Sequence, residues 1–258
     1  MRGDRAAGML VWANVALIGC VWQALPWLLP QDQRQRPWLR ALGAVSLFVM
    51  LQILFTLLAG IAGVLNGFTL AVLPTVTWGL LALAVPRRER LPWIEPPRDP
   101  WAAAGVFALV ASLGLWWAGP GWSGTRFIFD DITYHATVPA IWTQWGAIDH
   151  TNLSYQAYYP FDAELMGLWF VAPVGHFGHA GLAVLLGLAL AITAMGAVAE
   201  ELEAHPGPLL AVLGALLASP KMLYFARTYS ANDLTTAAFL LGMLAFTLLR
   251  PSPRSALW

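Results

Sequence analysis

The chain has 258 residues, 59% of them hydrophobic and 11% charged, and its 14 basic and 14 acidic residues cancel. Soluble domains carry about a quarter charged residues, so this is the composition of a membrane protein. A net charge of zero removes the electrostatic case for a nucleic-acid partner.

Seven apolar runs are read as spans of a hydrocarbon core about 30 Å thick. In chain order they cover residues 9–29, 41–65, 68–85, 101–118, 180–199, 209–223 and 234–249. The first contains Cys20, the one cysteine, which therefore has no internal disulfide partner. Leu17-Ile18-Gly19-Cys20 after Arg2 and Arg5 has the form of a lipoprotein cleavage box, but an apolar, Trp-rich stretch follows it. A plain transmembrane helix is the expectation there.

Arginines set the expected orientation. Arg34, Arg36 and Arg40 lie between the first two runs, and Arg87, Arg88, Arg90 and Arg98 between the third and fourth. The positive-inside rule places both loops in the cytoplasm. The N-terminus and residues 119–162 then face outward, and the C-terminus with Arg250 and Arg254 faces inward. The second and third runs meet at an uncharged Asn66-Gly67 turn. Residues 87–100, rich in Pro and Arg, read as a cytoplasmic linker between an N-terminal three-helix segment, 1–86, and a second module, 101–250.

The outer loops hold the polar residues of interest. Asp130 and Asp131 precede residues 132–145, where Ile132, Ala136, Ile141, Trp142 and Trp145 recur at helical spacing. That pattern suits an amphipathic helix on the membrane surface. Asp131 is placed to be its N-cap, worth about 1 kcal/mol. A carboxylate at the lipid–water boundary can equally act as a general base, so one Asp may cap while the other works. Glu164 opens a second apolar segment, 164–174, too short to span and ended by Pro173 and Gly175. It reads as an interfacial or re-entrant helix, with Glu164 either complementing the helix dipole or lining a pocket. Asp233, after Asn232, stands before the last run as another N-cap or site acid. Arg126, Lys221 and Arg227 share these outer loops, a reason to consider an anionic ligand.

Metal chemistry has weaker signals. His135, His150, His176 and His179 lie in or near the outer region, and only the last two are close in sequence. No thiolate or clustered His set supports zinc. A divalent cation held by carboxylates, with Asp130 and Asp233 as candidates, stays open. The chain has no phosphate-binding P-loop, dinucleotide fingerprint or serine nucleophile elbow.

Asp130-Asp131-Ile132-Thr133-Tyr134-His135, then Pro139, Trp142 and Trp145-Gly146-Ala147-Ile148, resembles the first outer loop of bacterial GT-C glycosyltransferases related to protein O-mannosyltransferases. The likeness continues through Asn152, Tyr159-Pro160, Glu164-Leu165-Met166, Ser219-Pro220 and Asn232-Asp233, covering roughly residues 101–249. It implies an all-α, polytopic helical bundle in the bacterial inner membrane. It further implies inverting transfer of a sugar from a polyprenyl-phosphate donor to an acceptor hydroxyl on the outer face. Asp130 aligns best with the family's acidic position, with Asp131 as the alternative base. Tyr134, His135, Glu164, Asn232 and Asp233 fall among the substrate-binding positions. Lys221 and Arg227 are placed to stabilise the departing lipid phosphate. Family members are longer, so the chain is expected to be the N-terminal part of such an enzyme. The competing expectation is a non-catalytic or truncated membrane protein of the same ancestry, or a transport component. Transport is disfavoured because the acids lie at helix ends and not at the bilayer midplane.

Overall fold

The computed structural model describes residues 2–29, 36–85, 111, 134–149, 162–217 and 232–248. Their regular structure is helical throughout. The α-helices are α1 (Arg2–Leu28), α2 (Pro37–Ile61), α3 (Gly67–Ala84), α4 (Thr137–Trp145), α5 (Asp162–Val171), α6 (Gly181–Glu201), α7 (Pro206–Leu217) and α8 (Asn232–Leu248), with a 3-10 turn at Phe177–His179. Among the described residues four stretches are long and apolar enough to cross a membrane: Arg5–Leu28, Pro37–Ile61, Gly67–Ala84 and Phe177–Glu201. The run at 101–118, apart from residue 111, and the linker at 87–100 lie outside the described residues. Residues 209–217 of the run at 209–223 lie in α7, residues 218–223 being outside the described residues, and the run at 234–249 contains the apolar stretch Thr235–Leu248.

Boundaries differ from the hydrophobic runs for local reasons. α2 begins at Pro37, four residues before its apolar run, because a proline in the first turn gives up an N–H that has no helical partner anyway. It ends at Ile61 because Gly63 turns left-handed (φ 70°). Gly63 N–H then bonds Gly60 O at 3.1 Å and Val64 N–H bonds Ala59 O at 2.9 Å, which closes the last turn. The α2–α3 connection is accordingly longer than a two-residue turn, with Asn66 as the N-cap of α3, its Oδ1 accepting from Thr69 N–H at 3.1 Å.

α1 lies along α3. The Trp78 ring covers Gly19, where a Cβ would collide with it. Trp12 Nε1 donates to Thr75 Oγ1 at 2.9 Å, and the buried Cys20 thiol donates to the carbonyl oxygen of Pro74 at 3.2 Å. Cys20 is thus an interior seam residue of a continuous helix.

α2 and α6 run antiparallel. At the start of α2, Trp38 covers Gly196 of α6, and Leu39 and Leu42 pack on Leu190, Ala194 and Ala197. Glu200 Oε2 caps α2 by accepting from Leu39 N–H at 3.2 Å, and Arg36 Nη1 bonds Glu201 Oε2 at 2.6 Å. α8 follows α6 in the same direction, with Thr235 against Gly187 and Ala238 and Ala245 in the same cluster. The start of α8 therefore lies at the end of the bundle that carries the α2–α3 turn.

At that end α4 and α5 are packed into the bundle. The α-helix expected over 132–145 begins only at Thr137, with Ala136 at the cap position and no side-chain cap. Pro139 explains the shift: it fits the first turn, whereas an α-helix running on from 132 would clash at the carbonyl of residue 135. α4 is two-faced as expected, burying Val138, Pro139 and Trp142 and exposing Trp145. It ends at Gly146 (φ 67°). Leu65 N–H bonds Gly146 O at 2.7 Å and Ile148 N–H bonds Gly60 O at 3.0 Å, tying the α4 end to the α2–α3 turn. α5 departs from the surface-helix expectation, since residues 164–172 are all buried. It is a short helix enclosed by α2, α4 and α6.

Candidate functional site

Glu164 sits in the first turn of α5, where the helix dipole favours a carboxylate. It is 3% exposed, and a carboxylate this deep needs a partner. Its Oε1 meets Nδ1 of His135, itself 8% exposed, in the wide helical turn that precedes α4. The Tyr134 ring lies beside that imidazole, with centroids 3.9 Å apart and planes tilted by 43°. A carboxylate on Nδ1 orients the imidazole ring.

The pair joins two segments 29 residues apart, both singled out from the sequence. Chemically it is a site where a proton can be shared and an adjacent loop held in place. Removing one member of such a buried pair typically costs about 3–5 kcal/mol, because the other is left uncompensated.

Two polar groups not singled out in the sequence anchor α5 from the N-terminal helices. Gln52 of α2 is fully buried, and its Nε2 donates to Met166 O at 3.1 Å. Asn14 of α1 accepts at Oδ1 from Trp169 Nε1 at 3.3 Å, and its own Nδ2 donates to Leu10 O at 2.8 Å. The signal was present: an amide in an apolar span is costly unless it is used. One cluster holds Leu17, Phe55 and Leu70 of the N-terminal helices together with Val138, Trp142, Leu168 and Trp169.

Tyr134, His135 and Glu164 are thus brought together. Asn232 and Asp233 open α8 at the same end of the bundle, but their side chains are outside the description. Asp130, Asp131, His150, Asn152, Lys221 and Arg227 lie outside the described residues. Ala136 occupies the cap position of α4. His176 and His179 have ring centroids 5.4 Å apart, and His176 Nδ1 is used to accept from Gly178 N–H at 3.1 Å, a turn-capping role. Among the described residues no three His, Cys, Asp or Glu side chains converge as metal ligands.

No family model, curated protein or solved structure matches this chain. The functional reading rests on the residues and their geometry.

Proposed function

We propose that the chain is part of an inner-membrane glycosyltransferase of GT-C type, with its N-terminus and site outside and its C-terminus inside. It transfers a sugar from a polyprenyl phosphate to an acceptor hydroxyl. Asp130 takes the hydroxyl proton as the acceptor oxygen bonds to the anomeric carbon. The bond from that carbon to phosphate oxygen breaks on the opposite face, and polyprenyl phosphate leaves with the electron pair. The sugar configuration inverts. Lys221 and Arg227 are assigned to the leaving phosphate, and Asn232 and Asp233 to the acceptor or to a divalent cation.

The observation that carries this reading is the buried His135–Glu164 pair. It fastens the segment that follows Asp130 and Asp131 directly to α5, at the end of the bundle where α8 begins with Asn232-Asp233. A loop whose acids served only as solvated caps would not need a buried ionisable clasp beside it, since such a clasp is costly to desolvate.

The test is transfer from a synthetic polyprenyl-phosphate sugar in membranes containing the protein. Asp130→Asn should lower the rate by on the order of 10²-fold at equal expression, the usual scale for a general base. Asp131→Asn should do less. Equal rates for wild type and Asp130→Asn would reject Asp130 as the base, and loss confined to Asp131→Asn would transfer the role to Asp131.

A further inference from the structure

α5 poses a problem of register. It has ten residues, too few to be stable alone, and beyond Glu164 it is apolar and buried on all sides, from residue 165 to residue 172. A helix with no polar face has no amphipathic stripe to fix its rotation. A slip of one residue turns it by about 100° and moves each Cα by about 3.8 Å. Glu164 would then miss His135. Something directional must set the register.

We propose that Gln52 is a positioning residue for the His135–Glu164 pair, acting by locking the register of α5. Its amide lies about 13 Å along α2 from Ile61, well inside the span, counting 1.5 Å per residue. It is 0% exposed and bonds a backbone carbonyl only two residues beyond Glu164. Gln52 Oε1 accepts no hydrogen bond among the described residues. A leucine or methionine would fill the same place without a buried acceptor of that kind, so the amide is explained by the one bond it donates. Trp169 Nε1 to Asn14 supplies a second directional bond one turn further along α5. The site thereby depends on a residue of the first helical segment, far from it in sequence. The kinetic part of this inference rests on the transfer reading; the structural part does not.

The experiment uses the protein in nanodiscs with 15N-labelled histidine. The chain has five histidines, and the His135 ring signals are identified by their loss in His135→Asn. Glu164→Gln defines where those signals move when the carboxylate is gone. Gln52→Met keeps the side-chain volume and removes the donor; it should shift the His135 signals toward the Glu164→Gln position. Gln52→Glu, neutral in an apolar site, can still donate to Met166 O and should keep the wild-type signals. His205, in the turn at the other end of the bundle, should be unmoved in every variant. In the transfer assay Gln52→Met should lower kcat with little change in KM for the lipid donor, by up to on the order of 10²-fold, the scale for misplacing a catalytic group by 1 Å. It should add nothing in a Glu164→Gln background. Unchanged His135 signals in folded Gln52→Met would overturn the proposal. Should Gln52→Met fail to fold, Gln52→Leu, which removes the same donor, takes its place with the same criterion. A wild type that shows the paired His135 signal but no transfer sinks the transfer reading and leaves this one standing.

Discussion

Gly60 gives a sharp test of how α4 is docked. It lies in the last turn of α2, and a Cβ there would fall 2.9 Å from Ile148 Cβ and closer still to the branch beyond it. Ile148 cannot swing clear, because its N–H bonds Gly60 O at 3.0 Å and the neighbouring Gly146 O accepts from Leu65 N–H at 2.7 Å. Overpacking of this kind costs about 1–3 kcal/mol. Replacing a helical glycine with alanine returns up to about 1 kcal/mol. Gly60→Ala should therefore lose about 1–2 kcal/mol net. Ile148→Ala, at a partly buried site, should cost about 2 kcal/mol by itself, the low end for isoleucine truncation. The double variant should be less damaged than the sum by about 1–2 kcal/mol, since each change makes room for the other. Reversible unfolding of the purified protein in mild detergent measures all four corners of the cycle. Gly60→Ala as stable as wild type, or strict additivity with Ile148→Ala, would refute the docking of the 146–148 turn on α2.

Trp169 is fully buried, so Trp169→Ala should lose about 3–5 kcal/mol in the same assay, more than Trp169→Phe. Glu203 holds a left-handed conformation (φ 54°) at the end of α6, where Ala204 N–H bonds Ala199 O at 2.8 Å; Glu203→Gly should raise stability by about 0.5–1 kcal/mol. Glu200→Gln should cost under about 1 kcal/mol, because the amide oxygen can still cap Leu39 N–H, whereas Glu200→Ala should cost about 1 kcal/mol more. A cysteine placed at Arg88 should react with an impermeant thiol reagent only after the membrane is opened; labelling in intact cells would reverse the proposed orientation.

Long apolar runs made α1, α2, α3 and α6 legible, because length and composition suffice to identify a membrane-spanning segment. Helix ends are less so: Pro37 and Gly63 at α2 and Pro139 at α4 shift boundaries through single-residue backbone effects that a hydropathy pattern does not register. Tyr134, His135 and Glu164 stood out as polar residues beside apolar segments, but nothing in their spacing paired His135 with Glu164. The same is true of Arg36 and Glu201, 165 residues apart. Asn14 and Gln52 do not stand out because each is one of several scattered polar residues in a mainly apolar helix, and what it meets depends on the packing of α5. α5 is ambiguous between surface and interior because a short segment that is apolar beyond Glu164 has no face to read.

The most direct test of lipid-linked sugar transfer is to supply the protein in nanodiscs with polyprenyl phosphates carrying a hexose or a pentose, together with a simple alcohol acceptor. Released polyprenyl phosphate and the anomeric configuration of the product are measured together. The expected result is one lipid phosphate released per sugar transferred, with inverted configuration and with loss of both signals in Asp130→Asn. No release from any donor, by protein whose His135–Glu164 pair is intact by NMR, would contradict it.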